Sequence, residues 1–254
     1  MSRDSWTRRG VLGGLCATTL VAPAALAFGD ASKVHIAEMS LGAGTASRPL
    51  AWRRLLYELE STTSVEVAPQ SILLKPDDPR LFDYPFCVVM GDGEFSLPSE
   101  EGLEQLGRYL AYGGFLLFDD TSGMDTSPFY SSVRRLTRAL FPTRSLTPVP
   151  SDHSVYRSFF LLREALGRVN RHPLLEGVTV GNLSPLMVCR NDLSGALERN
   201  ENGYHPYPCV PGGERQRREA VKLGINLLMY SLTANYKRDQ VHVRELILKG
   251  RWSE

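Results

Sequence analysis

Acidic and amide side chains directly follow several apolar runs of this sequence. Each run has the composition of a buried strand, and each ends in a pair of side chains that bind cations or move protons. The pairs are Asp92 and Glu94, Asp119 and Asp120, and Asn191 and Asp192. Clustered carboxylates bind divalent cations through oxygen, or supply the acid and the base of a hydrolysis. A divalent cation is therefore a candidate cofactor, although the sequence has no paired-histidine spacing of the zinc type.

A fourth polar segment follows a proline-rich stretch and contains Asp152, His153 and Arg157. His153 would add an imidazole to the carboxylates, and Arg157 is a candidate for binding an anion through its planar guanidinium. Aspartate and asparagine after a strand also cap helices or form Asx turns, so a purely structural role is the alternative for each acid. The sequence assigns a catalytic role to none of these residues.

The elements that must position these side chains alternate between strand and helix patterns. Residues 86–90 and 115–118 are continuous apolar runs, residues 34–39 form a β-type run, and amphipathic helices separate the three segments. This alternation predicts an open, doubly wound α/β domain with a mainly parallel sheet and helices on both faces. Ligands bind such sheets outside the carboxyl ends of the strands, so the four polar segments are expected to converge at one edge.

The charge balance excludes one large class of partner. The chain has 254 residues and a formal net charge of +1. A nearly neutral chain lacks the basic surface that binding to nucleic acid requires. The sequence also lacks a P-loop and a G-x-S-x-G elbow, and its Gly42-Ala43-Gly44 turn lacks the third glycine of a dinucleotide site.

The first 27 residues have the pattern of an export signal. Arg8 and Arg9 precede an uncharged stretch that closes with Ala25-Leu26-Ala27. This order of basic, apolar and small residues is typical of a cleaved twin-arginine signal, and a retained membrane anchor is the alternative. We predict a signal over residues 1–27, a single domain over residues 28–254, a location in the periplasm or cell envelope, and no stable membrane span after cleavage.

Two other features carry predictions. Cys189 and Cys209 form a candidate disulfide if their backbones approach, while Cys87 is expected in the core. A long helix is predicted from about residue 214 to residue 236. The alternating residues 241–248 are expected to form an edge strand, a tail packed on the domain, or an arm for a partner.

Several short motifs resemble, in order and spacing, the DUF4159 family, a domain of unknown function. They include Arg48-Pro49, Gly91-Asp92 with Glu94-Phe95, Gly113-Gly114-Phe115-Leu116, Asp152-His153 with Tyr156-Arg157-Ser158-Phe159, Asn191-Asp192, Gly212-Gly213-Glu214-Arg215, and Leu223-Gly224-Ile225-Asn226. The resemblance implies a flavodoxin-like fold related to class I glutamine amidotransferases. Those enzymes use a cysteine, whereas Asp119 and Asp120 follow the corresponding strand here, so the resemblance does not imply amidotransferase activity.

Two functions remain open from the sequence. The first is a non-catalytic exported module that binds a small molecule or an envelope protein at the carboxyl edge of its sheet. The second is a metal-assisted hydrolase that acts on envelope carbohydrate or ester through a cleft of carboxylates and histidine.

Overall fold

The structure is a computed structural model that describes residues 33–248, with side chains up to residue 233. This part of the chain forms one eight-stranded sheet with helices on both faces, which confirms the predicted α/β class. The strands are β1 (Ile36–Met39), β2 (Thr45–Ala46), β3 (Ile72–Leu74), β4 (Phe86–Gly91), β5 (Phe115–Asp120), β6 (Thr147–Pro148), β7 (Glu176–Val180) and β8 (Leu183–Cys189). The helices are α1 (Pro49–Thr62), α2 (Glu100–Ala111), α3 (Pro128–Leu140), α4 (Leu193–Leu197) and α5 (Gly213–Leu248).

The parallel part of the sheet has the strand order β3-β1-β4-β5-β8. This is the 2-1-3-4-5 order of flavodoxin-like folds. Two antiparallel strands, β7 and β6, extend the sheet beyond β8. Gly181 and Asn182 alone join β7 to β8, and Gly181 has a φ of +61°. A left-handed residue at this position is what a tight hairpin turn requires.

The pleat of the sheet divides the apolar side chains between two cores. Phe115 and Leu117 face the core under α1, α4 and α5, whereas Leu116 and Phe118 face the core under α2 and α3. We call these the α5 face and the α3 face. Successive residues of a strand point to opposite faces, so every polar residue at the end of a strand is assigned to one face by its position.

Helix α5 is longer than its sequence pattern predicts. It runs for 36 residues to Leu248, a length of about 54 Å. The expectation of an edge strand at residues 241–248 is therefore wrong, and the alternatives of a packed tail or an arm for a partner stay predictions. Extending an existing helix adds a hydrogen bond per residue without a new nucleation step, which favours helix over an unpaired strand. Among the described residues, no helix is both long and apolar enough to cross a membrane.

The crevice between β1 and β4, where the strand order reverses, holds the chain's own backbone. Strand β2 pairs antiparallel with β4, with Thr45 opposite Gly91. Gly44 has a φ of +82°, and a Cβ atom there would lie 2.2 Å from the Glu94 carbonyl oxygen. Flavodoxin-like folds bind ligands at this reversal point. Here the glycine-rich turn allows β2 to fill it.

Candidate functional site

The pleat separates the two neighbouring aspartates at the end of β5. Asp119 points to the α5 face, where its carboxylate accepts hydrogen bonds from the Leu193 and Ser194 amides at 2.7 Å each. Asp120 follows Phe118 onto the α3 face, and its Oδ1 accepts from the Ser122 amide at 3.0 Å. The carboxyl edge therefore carries two distinct polar clusters.

Asp119 has a structural role at the start of α4. Its two backbone donors belong to the first turn of that helix, which has no earlier carbonyls to pair with them. Burial, followed by the neighbouring Asp192 carboxylate, raises the pKa of Asp119 to about 6 against the lowering effect of its hydrogen bonds.

Asp192 caps the same helix and binds two arginines. Its Oδ1 accepts from the Gly195 amide at 2.9 Å and from Arg48 Nη1 at 2.8 Å, and its Oδ2 accepts from Arg168 Nε. Its φ of 53° lies in the left-handed region, which aspartate tolerates better than most residues. These contacts occupy both carboxylate oxygens. They agree with the structural alternative stated for each acid, in which the side chain caps a helix.

Asn191 fixes the segment that precedes β7. Its Oδ1 accepts from the Arg171 and His172 amides at 3.0 and 3.1 Å. Its Nδ2 donates to the Ala165 and His172 carbonyls at 2.6 Å each. The amide thus makes both of its donor bonds and two acceptor bonds inside the fold.

Asp92 and Glu94 do not join either cluster. Both are exposed, and Glu94 forms an ion pair with Arg135 at 2.7 Å on the surface. The Gly93 amide donates to the Gly44 carbonyl at 3.2 Å, which ties this turn to β2. The expected convergence is wrong for this pair because β2 occupies the space beside the end of β4.

The segment with Asp152, His153 and Arg157 lies towards the opposite edge of the sheet. His153 Nε2 is 3.4 Å from Ser184 Oγ, at the beginning of β8. About 17 Å of strand separates Ser184 from Cys189. The expected convergence is therefore wrong for these three residues, because the chain after β6 crosses the α5 face towards Tyr230 of α5.

The contact between His153 and Ser184 is not a nucleophile–base pair. His153 Nδ1 accepts from the Val155 amide at 3.1 Å, so the neutral ring carries its proton on Nε2. Burial lowers the pKa of His153, which keeps the ring in this neutral form. A protonated Nε2 donates to the Ser184 hydroxyl and does not take its proton. Arg157 is exposed and donates to the Asp152 carbonyl.

The second cluster, on the α3 face, combines a carboxylate that has one unpartnered oxygen with an imidazole and a guanidinium. We define the α3-face cluster as Asp120, Asp125, Tyr130, His172, Glu176 and Arg190. Asp120 is fully buried, and its Oδ2 has no hydrogen-bond partner among the described residues. The buried His172 Nε2 and Arg190 Nε atoms also have none there. Three polar atoms of this one cluster thus retain unused hydrogen-bonding capacity.

The charged members of the cluster surround His172. Burial, followed by the Arg190 cation, lowers the pKa of His172, while Asp125, Glu176 and Asp120 act in the opposite direction. The ring is therefore neutral near pH 7. His172 Nε2 lies 4.0 Å from Asp125 Oδ1.

Arg190 and Tyr130 are held by Glu176. Arg190 Nη1 pairs with Glu176 Oε1 at 3.2 Å, and its guanidinium stacks 4.0 Å from the centre of the Tyr130 ring. The Tyr130 hydroxyl donates to Glu176 Oε2. Burial and this carboxylate raise the pKa of Tyr130 to about 12, so the phenol stays protonated.

A sequence comparison places this fold and its clusters in a family. Residues 35–232 match the family described as "Domain of unknown function (DUF4159)". The chain belongs to the DUF4159 family. Among curated proteins, none matches it. The DUF4159 match contains every strand and the whole α3-face cluster, and it ends within α5.

The cysteines of the DUF4159 domain are free thiols. Cys189 and Cys209 are both buried and unbonded, so the structure does not contain the candidate disulfide. Both pack as small apolar side chains in the α5-face core, and Cys87 lies in the α3-face core. Burial raises the pKa of all three thiols.

The acids of the DUF4159 domain are not arranged as cation ligands. Within residues 33–233, no group of three histidine, cysteine, aspartate or glutamate side chains is placed to hold a metal ion. The pleat directs Asp119 and Asp120 to different faces, and the carboxylate of Asp192 is committed to amides and guanidinium groups.

A separate groove of about 470 Å³ runs along α1, away from both clusters. Its lining includes apolar Leu56 and five charged residues, which are Arg53, Arg54, Arg199, Glu60 and Glu201. Its volume suits a small ligand. Arg54 forms an ion pair with Glu58, so the remaining charges of the lining balance and favour neither an anion nor a cation.

Sequence reasoning missed five members of the α3-face cluster. Arg190 had a usable signal, because it follows Val188 at the two-residue spacing that keeps side chains on one face. Glu176 had none, since it enters the site only through the antiparallel pairing of β7 with β8. Asp125, Tyr130 and His172 reach the site through loops and the first turn of α3.

Proposed function

We propose that this DUF4159 chain is a non-catalytic binding module that takes a polar ligand or partner group at the α3-face cluster. The observation that carries this proposal is the set of unpartnered buried atoms on Asp120, His172 and Arg190. Folded proteins pair nearly all buried polar atoms, because an unpaired one costs about 1–3 kcal/mol. Three such atoms in one cluster, next to fully bonded Asp119 and Asp192, are typical of a surface completed by a ligand.

The described nucleophiles support binding over catalysis. All three thiols are buried, and burial raises their pKa, so the reactive thiolate is disfavoured. Ser184 is buried against a histidine whose proton is on the wrong nitrogen for a base. The hydrolase alternative requires carboxylates that act together, and the pleat separates Asp119 from Asp120. A relationship to the glutamine amidotransferase fold remains a prediction from the sequence.

Export to the periplasm or cell envelope is part of the same proposal. It is supported by Arg8, Arg9 and the small residues Ala25 and Ala27, all of which lie outside the described residues. In that location the partner would be an envelope protein or a small polar molecule.

The proposal is tested by comparing the stability of two matched variants. Asp120→Asn removes a buried charge that has an unpartnered oxygen, so we expect the free energy of unfolding to rise by about 1 kcal/mol. Asp119→Asn replaces one of two accepting oxygens with a donor, so we expect a loss of about 2 kcal/mol. Urea denaturation at pH 7.5 measures both. A loss in Asp120→Asn as large as that in Asp119→Asn would show that Asp120 serves the fold, and the proposal would fail.

A further inference from the structure

The charges of the α3-face cluster restrict which ligand it accepts. Arg190 pairs with Glu176 at 3.2 Å, and the more exposed Arg171 pairs with Asp125 at 3.3 Å. Among the described residues, the Asp120 side chain then has only the Ser122 amide as a hydrogen-bond donor. The site therefore retains an accepting oxygen on Asp120, a donating N–H on Arg190 Nε, and the neutral ring of His172.

Resting on the proposed function, we infer that the cluster binds an uncharged group that donates a hydrogen bond to Asp120 and accepts one from Arg190. Adjacent hydroxyls of a carbohydrate and a primary carboxamide share this chemistry. His172 Nε2 extends it, because a neutral imidazole nitrogen donates or accepts according to its tautomer.

Simple ions fit the same residues poorly. An anion would pair with Arg190 but would face the carboxylates of Asp120 and Glu176. A cation would pair with Asp120 but would approach Arg190 and leave its Nε–H without an acceptor. Like charges brought together in a partly desolvated site are costly, and unmatched polar groups are as well.

Access to the cluster depends on the loop between β5 and α3. The three unpartnered atoms are buried, and the loop packs on them through Asp125, whose carbonyl accepts from Arg190 Nη2. The Asp125 side chain is 72% exposed, and its partner Arg171 is 50% exposed. Ion pairs this exposed contribute little, so the pair between Asp125 and Arg171 does not hold the loop closed.

The test adds four probes to residues 28–254, the domain that is expected to remain after signal cleavage. It measures the backbone amide chemical shifts of this domain. Methyl glucoside represents the hydroxyl source, acetamide the carboxamide source, and sodium acetate and ammonium chloride the two ions, all at equal ionic strength. We expect saturable shifts at Ser122 and His172 with methyl glucoside or acetamide. Whichever of the two binds more tightly identifies the source.

Two variants and one control make the assignment specific. Asp120→Asn exchanges the acceptor for a donor, and Arg190→Lys keeps the charge but removes the Nε–H. We expect each to weaken binding at least tenfold, while Glu94→Gln, an exposed carboxylate at the same edge, leaves it unchanged. Stronger binding of acetate or ammonium would overturn the inferred ligand class but not the proposed function. The proposed function is tested separately, by the free energy of unfolding of Asp120→Asn. The absence of saturable shifts with every probe would also overturn this inference.

Discussion

Asp119 and Asp120 are neighbours in the chain, yet their carboxylates lie on opposite faces of the sheet and have opposite hydrogen-bonding states. Asp119 accepts two backbone amides at 2.7 Å, whereas Asp120 keeps one buried oxygen without a partner among the described residues. The single-residue alternation of the pleat thus separates a residue that builds the fold from one that is available for binding.

The raised pKa of Asp119 predicts the sign of one pH effect on stability. The folded carboxyl has a pKa of about 6, above its ordinary value of 3.8, so the folded state binds the proton more tightly than the unfolded state. The proton-linked part of its contribution is therefore fully present below pH 3.8 and is lost as the pH rises through about 6, whereas the ionised carboxylate still accepts its two amide hydrogen bonds. We expect the difference in unfolding free energy between wild type and Asp119→Asn to change across this window.

Urea titrations between pH 3.5 and pH 8 measure that difference. Subtracting the variant from wild type removes the contributions of titrating groups that do not interact with Asp119, so the remaining change belongs to Asp119 together with its neighbour Asp192. A difference that stays constant with pH would contradict the prediction.

The pKa of His172 is predicted to change when its neighbour Arg190 is replaced. Because the Arg190 cation is one of its causes, we expect Arg190→Gln to raise the pKa of His172. Titration of the imidazole resonances by NMR provides the measurement. Arg144→Gln is the matched control, because Arg144 donates to the Thr179 carbonyl and is not among the causes of the shift. Equal His172 titrations in wild type and Arg190→Gln would refute the assigned electrostatics.

Asn191→Ala is expected to loosen the segment from residue 165 to residue 172. The substitution removes four hydrogen bonds to that segment, and the carbonyls of Ala165 and His172 lose their side-chain donor. We expect a loss of about 2–3 kcal/mol in the free energy of unfolding. Hydrogen exchange should also become faster at residues 165–172.

Asn182→Ala, in the tight turn between β7 and β8, is the comparison for that variant. Asn182 is exposed, so its truncation should leave exchange at residues 165–172 unchanged. Similar exchange in both variants would show that Asn191 does not hold the segment.

The export prediction depends on the arginine pair. Replacing Arg8 and Arg9 together with lysine should retain the precursor inside the cell, because the twin-arginine route requires the pair. Fractionation followed by mass measurement of the mature N-terminus provides the readout, and Arg3→Lys is the control. Continued export of the double variant would point to a general secretory signal.

The sequence predicts the parallel half of the sheet more clearly than the antiparallel half. Strands such as β4 and β5 are buried on both faces, so their apolar runs are continuous and easily recognised. Strands β2 and β6 have two residues each, and β7 has a mixed pattern, so their pairing depends on tertiary contacts.

The same limit applies to the candidate site. That Asp119, Asp120, Asn191 and Asp192 share an edge follows from strand order. The division between faces also follows, from the two-residue period. The position of His172 does not follow from either rule, because it depends on four hydrogen bonds between Asn191 and a loop about twenty residues earlier in the chain. No local pattern reports such a contact.

Strand β2 gives the crevice between β1 and β4 a permanent occupant. Because Thr45 and Ala46 are covalently attached to the domain, their effective concentration at β4 far exceeds that of any free nucleotide or flavin. A diffusing ligand would have to displace a tethered competitor whose hydrogen bonds are already formed. Competition at the β1–β4 crevice is thus decided within the chain itself, which supports our proposal that an external molecule binds at the β5–β8 end of the edge.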